Sequence, residues 1–157
     1  MKKLFFVISM MLMSVGAFAQ QGTCTAGAHV SLLLQDNKNV GIGALVGYEV
    51  IDNVRGVAEF DYYFKKDLVS CWEVDLNAEY LFRVAEGKFT IYPLVGINLL
   101  GAKVDLPGAD GDSKLGMNLG GGVEIPIVSN IAVKCEYNYK TQGNGGSFLK
   151  AGIVIPF

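Results

Sequence analysis

The sequence predicts an all-β fold, an eight-stranded antiparallel up-and-down β-barrel. Three observations predict it: apolar and polar side chains alternate along most of the chain, eight such segments are separated by turn residues, and the connections between them alternate in length. Alternation with a period of two is typical of a strand whose two faces meet different environments. Consecutive strands joined by short connections pair with each other, which makes the sheet antiparallel.

The segment 72–84 shows the alternation most clearly. One face is entirely apolar and holds Trp72, Val74, Leu76, Ala78, Tyr80, Phe82 and Val84. The other face holds Glu73, Asp75, Asn77, Glu79 and Arg83, with Leu81 as its one apolar exception. A strand of this pattern separates an apolar from a polar environment.

Seven further segments follow the same pattern: 26–35, 40–50, 54–65, 88–104, 115–126, 130–140 and 148–157. Tight turns are predicted at 51–53, 85–87 and 128–130, and longer connections at 66–71, 105–114 and 141–147, with 36–39 as the short member of the second group. Because the two kinds alternate, one end of the barrel is expected to carry the tight turns and the other end the longer loops.

The first 19 residues are predicted to be a secretory signal peptide. Lys2 and Lys3 precede an apolar run, and the small residues Ala17 and Ala19 frame a cleavage site before Gln20. The run is shorter than the ~20 apolar residues that a spanning helix requires. Residues 20–157 are then expected to form one outer-membrane β-barrel domain.

The chemistry of the two faces distinguishes a membrane barrel from a soluble one. One face carries charged residues together with glycines, namely Gly41, Gly43, Gly47, Gly96, Gly116, Gly120, Gly122 and Gly152. The opposite face is almost uninterrupted in Leu, Val, Ile and aromatic residues. Small and charged side chains suit the narrow interior of an eight-stranded barrel, and large apolar ones suit a surface in contact with lipid. We therefore predict a transmembrane β-barrel, with a soluble lipocalin-like periplasmic ligand barrel as an alternative.

The aromatic residues are expected to form two girdles at the membrane interfaces. Next to the longer loops we place Tyr62, Phe64, Trp72, Tyr137 and Tyr139, and next to the tight turns Tyr48, Tyr80, Phe82, Phe89 and Phe157. Aromatic rings settle at the head-group level on both sides of a bilayer. This sorting into two levels supports the membrane interpretation.

The inward-facing charges are expected to form a structural ion network rather than a catalytic site. The acidic members are Glu49, Glu59, Asp61, Glu73, Asp75, Glu79, Glu124 and Glu136, and the basic members are Arg55, Arg83, Lys134, Lys140 and Lys150. Charges enclosed in a small lumen must pair, because an unpaired buried charge is strongly unfavourable. An eight-stranded barrel is filled by its side chains, so no open pore is expected.

Several stretches resemble the small outer-membrane β-barrels of the OmpA/OmpX type in Gram-negative bacteria. They are KFTIYPLVGINLLGAKV, KLGMNLGGGVEIPIVSNIAVKCEYNYK and the terminal FLKAGIVIPF. The resemblance implies an outer-membrane location and outer-membrane lipid as a partner. It also implies that the last strand, ending in the aromatic Phe157, is recognised by the outer-membrane assembly machinery.

The function expected from these patterns is structural or interfacial, in a monomer without cofactor, metal site or catalytic residues. A formal net charge of −2 gives no reason to expect nucleic acid as a partner. The alternative is an outer-membrane lipid-modifying enzyme, because His29 beside Ser31, together with an acid, resembles an esterase-like site. Such an enzyme requires its nucleophile at the lipid-facing surface, whereas His29 is expected to face inward near the periplasmic end, where the tight turns lie. Cys24, Cys71 and Cys135 are expected to lie too far apart for a disulfide.

Overall fold

The structure is a computed structural model that describes residues 22–34, 39–66, 69–85, 87–104, 112–141 and 145–157. The predicted signal peptide and the tips of the four longer connections lie outside the described residues. No helix long and apolar enough to cross a bilayer occurs within the described ranges.

Nine strand segments build the sheet: β1 Cys24–Leu33, β2 Val40–Ile51, β3 Val54–Lys66, β4 Val69–Tyr80, β5 Phe82–Val84, β6 Phe89–Val104, β7 Asp112–Val128, β8 Ile131–Lys140 and β9 Gly146–Pro156. β4 and β5 are two pieces of one barrel strand, because both pair with β6. The break lies at Leu81, whose backbone N–H donates to the carbonyl oxygen of Asn53 at 2.7 Å. The predicted count of eight barrel strands is confirmed.

The sheet closes on itself with every neighbouring pair antiparallel. Consecutive strands pair along the chain, and β1 pairs with β9 to close the barrel. This closing ladder runs from Thr25 opposite Pro156 to Leu33 opposite Phe148. Phe157 extends it, since its N–H donates to the Cys24 carbonyl at 2.8 Å. A closed barrel has no exposed strand edge, so every strand satisfies its backbone groups within the sheet.

The two ends of the barrel differ as the sequence indicates. At one end, called the turn end from here on, lie the turns at 52–53 and 129–130 and the turn residues 85, 87 and 88, together with the start of β1 and the end of β9. Asn53 and Gly87 adopt positive φ angles of 65° and 84° there, as tight turns require. The other end, called the loop end, carries the four remaining connections.

The strands at the loop end extend further than the sequence pattern indicates. Val69–Cys71 belong to β4, residues 112–114 to β7 and residues 146–147 to β9, although all were expected in loops. Polar residues such as Ser113 and Ser147 continue the ladders because cross-strand backbone pairing does not require an apolar side chain. The predicted loops at 66–71, 105–114 and 141–147 are therefore too long.

The two faces of the sheet have opposite chemistry. The outer surface exposes large apolar side chains, among them Leu76 (52%), Ile97 (48%) and Leu119 (66%). The interior buries charged and amide side chains, with Asp75 at 0%. Two small apolar clusters fill the interior toward the turn end; they are Leu45, Val57, Ala132 and Val154, and Leu81, Tyr92 and Leu94.

Candidate functional site: the barrel lumen

Inward-facing positions on several strands bring charged side chains into one lumen. Its carboxylates are Glu59, Asp61, Glu73, Asp75, Glu79, Glu124 and Glu136, and its cations are Arg55, Lys134, Lys140 and Lys150. Alternation alone places them there, because the side-chain period of a strand is two. The acidic residues outnumber the basic ones. How the excess negative charge is neutralised therefore depends on which carboxylates each cation contacts.

Arg55 links two acids in the half of the lumen nearer the turn end. Its Nε donates to Glu79 Oε2 at 2.7 Å, and its two terminal nitrogens donate to the carboxylate of Glu124. A guanidinium has five donors in a fixed plane, so it can hold two carboxylates from different strands at once. Arg55 therefore ties β3 to β4 and to β7 across the lumen.

Lys134 lies next to Arg55 within a cradle of three carboxylates. Its Nζ is 3.0 Å from Glu79 Oε1, 3.0 Å from Glu136 Oε2 and 3.6 Å from Glu59 Oε1. The ring of Tyr92 supports the ammonium from one side, with the centroid 5.2 Å from Nζ, and the Tyr92 hydroxyl donates to Glu136 Oε2 at 3.0 Å. The ammonium thus acts as a fixed counter-ion to three buried acids.

Lys150 occupies a second cradle toward the loop end. Its Nζ donates to Glu59 Oε2 at 2.5 Å, to Asp61 Oδ2 at 2.8 Å and to Asp75 Oδ2 at 3.0 Å. Glu59 therefore contacts both Lys134 and Lys150 through its two different oxygens. This shared carboxylate joins the two halves of the network into one.

Lys140 completes the network nearest the loop end. Its Nζ lies 2.7 Å from Asp75 Oδ2 and 2.8 Å from Glu73 Oε2. Glu73 also accepts a hydrogen bond of 3.1 Å from the Tyr63 hydroxyl. The ring of Phe148 covers the ammonium at 4.8 Å from its centroid. Charged pairs thus follow one another from the turn end to the loop end of the lumen.

Asparagine side chains on the neighbouring strands β4, β6 and β7, and on β8, line the lumen beside these ion pairs. Asn118 donates to Asn77 Oδ1 at 2.9 Å and accepts from Asn98, and Asn138 donates to Glu136 Oε1 at 2.6 Å. Four buried polar atoms, Glu59 Oε1, Asp75 Oδ1, Asn77 Nδ2 and Asn138 Oδ1, make no hydrogen bond with any group in the described part of the chain. Buried polar groups of this kind are commonly satisfied by ordered water.

Glu49 and Arg83 lie at the turn-end mouth, apart from the enclosed network. Arg83 donates to Glu49 and to Asn53 Oδ1, the latter at 2.6 Å, and its side chain is 46% exposed. They border a cavity of about 340 Å³ that reaches inward to Arg55 and Glu124. The structure therefore assigns these two residues to the rim, whereas the sequence pattern grouped them with the enclosed charges.

His29 lies midway along β1 and not near the turn end, which corrects the expectation. Its Nε2 is 2.8 Å from Asp61 Oδ1, and the Ser31 hydroxyl donates to the same oxygen at 2.5 Å. A serine nucleophile requires a histidine on its hydroxyl and an acid behind the histidine. Here the acid lies between the two, and Ser31 is fully buried, so the cluster lacks the order of a hydrolase triad.

A close approach of strands shapes the space around His29. A Cβ atom on Gly43 would collide with His29 Nε2 and with Asp61 Oδ1. The absence of a side chain at Gly43 therefore allows His29 on β1 and Asp61 on β3 to meet across β2. This contact explains why one inward-facing position, residue 43, is a glycine.

The ten aromatic residues expected in the girdles lie on the outer surface at the two ends. Tyr62, Phe64, Trp72, Tyr137 and Tyr139 are near the loop end, and Tyr48, Tyr80, Phe82, Phe89 and Phe157 are near the turn end. Sequence reasoning missed three aromatic residues in the lumen, Tyr63, Tyr92 and Phe148. Their inward positions follow from strand alternation, which was the signal that could have identified them.

The lumen also brings acidic groups to within reach of a common ion. Ligand atoms of His29, Glu59 and Asp61 lie within 4.8 Å of one another, as do those of Glu59, Glu79 and Glu136, and those of Asp61, Glu73 and Asp75. Lysine ammonium groups contact carboxylates in all three groups. The chain's own lysine ammonium groups therefore contact the carboxylates that a bound metal ion would otherwise contact. The three cysteines are free thiols.

Comparisons with known proteins agree with this architecture. The model of the outer membrane protein β-barrel domain family matches residues 5–153. The sequence matches no curated protein sequence at a significant level.

Three solved structures share the fold at low sequence identity. The N-terminal β-barrel domain of Pseudomonas aeruginosa OprF is 18% identical, with a TM-score of 0.73 over 87% of this chain and 100% of that chain. Neisserial surface protein A is 20% identical, with a TM-score of 0.68 over 87% and 97%. The attachment invasion locus protein Ail of Yersinia pestis is 19% identical, with a TM-score of 0.62 over 87% and 97%.

Proposed function

The chain belongs to the outer membrane protein β-barrel domain family, and from that premise we propose that it is a structural or interfacial membrane protein whose lumen is closed by its own ion network. Its location is the outer membrane. The proposal assigns no catalytic step to it. Its partner is the lipid that surrounds the apolar outer surface, and it acts as a monomer.

One observation carries the proposal: the charges of the lumen are paired from end to end. Arg55, Lys134, Lys150 and Lys140 follow one another along the lumen, and each contacts two or more carboxylates. Eight strands leave an interior that side chains can fill. Together, the ammonium groups and the lumenal aromatic rings would obstruct the path of a solute.

Conductance across planar lipid bilayers tests the closed lumen. The wild-type barrel is expected to show no steady open channel. Lys134→Ala removes the ammonium from its three carboxylates and is expected to allow a cation-selective current. Lys88→Ala, a matched loss of one lysine in a turn outside the lumen, is expected to behave as wild type. A steady wild-type current, or equal currents in both variants, would contradict the closed lumen.

The absence of a catalytic role is tested on membrane lipid itself. Mass spectra of lipid A from cells that overexpress the protein are expected to match those of control cells. The burial of Ser31 and the position of Asp61 between Ser31 and His29 support this expectation. A change in lipid A acylation that is lost in Ser31→Ala would instead support a lipid-modifying enzyme.

We propose that the assembly machinery recognises the last strand. β9 closes the barrel against β1 and exposes Ile153 and Ile155 on its outer face, and Phe157, which follows β9 directly, is exposed as well. Phe157→Asp is expected to reduce the fraction of protein assembled in the outer membrane, measured by the heat-dependent gel mobility of folded barrels. Lys88→Ala is the control. Unchanged assembly of Phe157→Asp would contradict a role for the terminal aromatic residue.

A further inference from the structure

The mouth of the barrel at the turn end opens into the cavity that Glu49 and Arg83 border, called the turn-end cavity from here on. Its volume is about 340 Å³. Pockets for small molecules range from about 300 to 1,000 Å³, so a compact solute fits this space. Short turns face the periplasm in barrels of this class, and a solute that enters here therefore comes from the periplasm.

One side of the turn-end cavity is apolar. Val128 and Ile131 lie opposite each other at the β7–β8 turn, and Ala132 lies opposite Val154 in the neighbouring ladder of β8 and β9. Together they form a continuous aliphatic wall. Such a wall suits the methylene groups of a solute, because apolar surface gains free energy when it leaves water.

Two carboxylates lie on opposite sides of the same cavity. Glu49 on β2 is at the rim, and Glu124 on β7 is at the inner end. Their side chains are 17% and 12% exposed, so a solute in the cavity can contact both. Arg55 indicates their separation, because it lies opposite Glu49 in the ladder of β2 and β3 and its guanidinium reaches Glu124. A flexible chain about as long as an arginine side chain therefore joins the two carboxylates.

The charge behind the turn-end cavity is negative. Among the residues that the structure describes, the enclosed network has seven carboxylates and four permanent cations, and protonation of His29 would still leave two carboxylates in excess. A cleft with low-dielectric walls focuses such a field toward its opening. The field attracts cations into the cavity and repels anions.

Arg83 is the cation that lies at the rim. It donates to Glu49, yet its side chain is 46% exposed, and exposed pairs of this kind contribute little to stability. An ammonium group of a solute can therefore replace it on Glu49 while Arg83 turns into water. At the inner end Glu124 keeps its buried partner Arg55, and a carboxylate still has lone pairs for a further donor.

We propose that the turn-end cavity binds an aliphatic diamine, with one ammonium at Glu124, the other at Glu49 and the methylene chain against the apolar wall. This binding site goes beyond the structural role proposed above. It does not require an open lumen, because the cavity ends at Arg55 and Glu124.

An NMR titration of the isotope-labelled barrel in lipid nanodiscs with 1,5-diaminopentane tests the proposal. The amide signals of Thr90 and Ser129, which line the cavity, are expected to shift and to reach saturation. The uncharged 1,5-pentanediol and the dianion glutarate, which have the same number of carbons, are expected to cause no such shift. Saturable shifts with the diol or with glutarate, or none with the diamine, would overturn the proposal.

Variants of the charged residues test the assigned contacts in the same titration. Glu49→Gln and Glu124→Gln are each expected to weaken diamine binding about tenfold, as the loss of one charge-assisted hydrogen bond would. Arg83→Ala is expected to tighten binding, because the guanidinium no longer competes for Glu49. Asp52→Asn removes an exposed carboxylate of the β2–β3 turn outside the cavity, and this matched control is expected to bind as wild type.

Heat-dependent gel mobility shows whether each variant is folded. If Glu124→Gln does not fold, Glu49→Gln and Arg83→Ala at the exposed rim still decide the question, since they are expected to change the affinity in opposite directions. The same affinity in both rim variants, weaker binding in Arg83→Ala, or a loss in Asp52→Asn equal to that in Glu49→Gln would each overturn the proposal.

Discussion

Asp75 and Leu76 are neighbours on β4, yet they belong to two different environments. Asp75 is fully buried and contacts the ammonium groups of Lys140 and Lys150. Leu76 is 52% exposed on the outer surface. One residue of separation thus moves a side chain from a polar, densely paired interior to lipid. On the inner face each charged side chain has particular partners, whereas on the outer face a side chain has only to be apolar.

This difference predicts how strongly each face tolerates substitution. In the lumen, a substitution can remove one charged residue from the ion network. The loss in free energy of unfolding then depends on which residue is replaced. Outside, aliphatic exchanges are expected to have small effects and charges large ones. Trp72 is the only tryptophan, so its fluorescence can follow unfolding of each variant in lipid vesicles.

The largest effect is expected for Lys150→Ala. The change leaves Glu59, Asp61 and Asp75 without the ammonium that they share. Breaking a buried pair by removing one partner costs about 3–5 kcal/mol, because a buried charge stays uncompensated. Urea titration followed by Trp72 fluorescence measures the free energy of unfolding. A loss in free energy of unfolding below about 1 kcal/mol is typical of exposed ion pairs, and it would contradict the burial of Lys150 with its three carboxylates.

The next largest effect is expected on the outer face, for Leu76→Arg. A cationic side chain on the lipid face of a barrel costs about 2–4 kcal/mol at the bilayer midplane and less near the interfaces. The same titration measures it, with Leu76→Val as the control that keeps the apolar character. If Leu76→Arg were as stable as Leu76→Val, the assignment of the two faces would be wrong.

A moderate effect is expected where the strands approach closely, for Gly43→Val. The added side chain would collide with His29 and Asp61. Overpacking of this kind costs typically about 1–3 kcal/mol. Gly56→Ala, at an outward position where a Cβ atom has only Val50 at 3.9 Å, is the control and is expected to change the free energy of unfolding little. Equal effects at the two glycines would remove the argument for a close contact at His29.

The smallest effect is expected at the rim, for Arg83→Ala. Arg83 and Glu49 form an exposed pair, and such pairs contribute about 0–1 kcal/mol. The contribution should fall further at high salt, because exposed charges are screened. Unfolding measured at low and high salt checks this. If Arg83→Ala lowered the free energy of unfolding as much as Lys150→Ala, Arg83 would belong to the enclosed ion network and not to the rim.

The architecture could be predicted well from the sequence because alternation is a local property. Each strand reveals its two faces without reference to its neighbours, so the strand count and the barrel class follow from the pattern. The break at Leu81 was missed. Pairing with β6 stops after Glu79 opposite Leu94 and resumes at Phe82 opposite Ile91, and the stretch of β6 between these pairs contains Pro93, which has no N–H to donate.

The site was less predictable, for a related reason. Alternation shows which charges face inward, but the partners of each charge depend on the register of strands that are distant in sequence. Lys150 on β9 meets Asp75 on β4 across the lumen, a contact between residues 75 positions apart. The position of His29 was misjudged because the predicted strand begins at residue 26, whereas β1 begins at Cys24 and ends at Leu33, which places His29 midway along it.

Spin labelling of Cys135 tests the separation of the two faces, because this native thiol lies on the outer surface of β8 between Lys134 and Glu136. Cys24 and Cys71 are first replaced by serine, so that a nitroxide attaches to Cys135 alone. A second protein carries the further changes Lys134→Cys and Cys135→Ser, which move the label by one residue, and the two labelled proteins are compared in lipid vesicles.

The label on Cys135 is expected to collide often with oxygen, which concentrates in hydrocarbon, and rarely with a polar nickel complex. The label at position 134 is expected to be shielded from oxygen, because that position faces the lumen. The reverse pattern would contradict a polar, paired interior and a lipid-facing exterior.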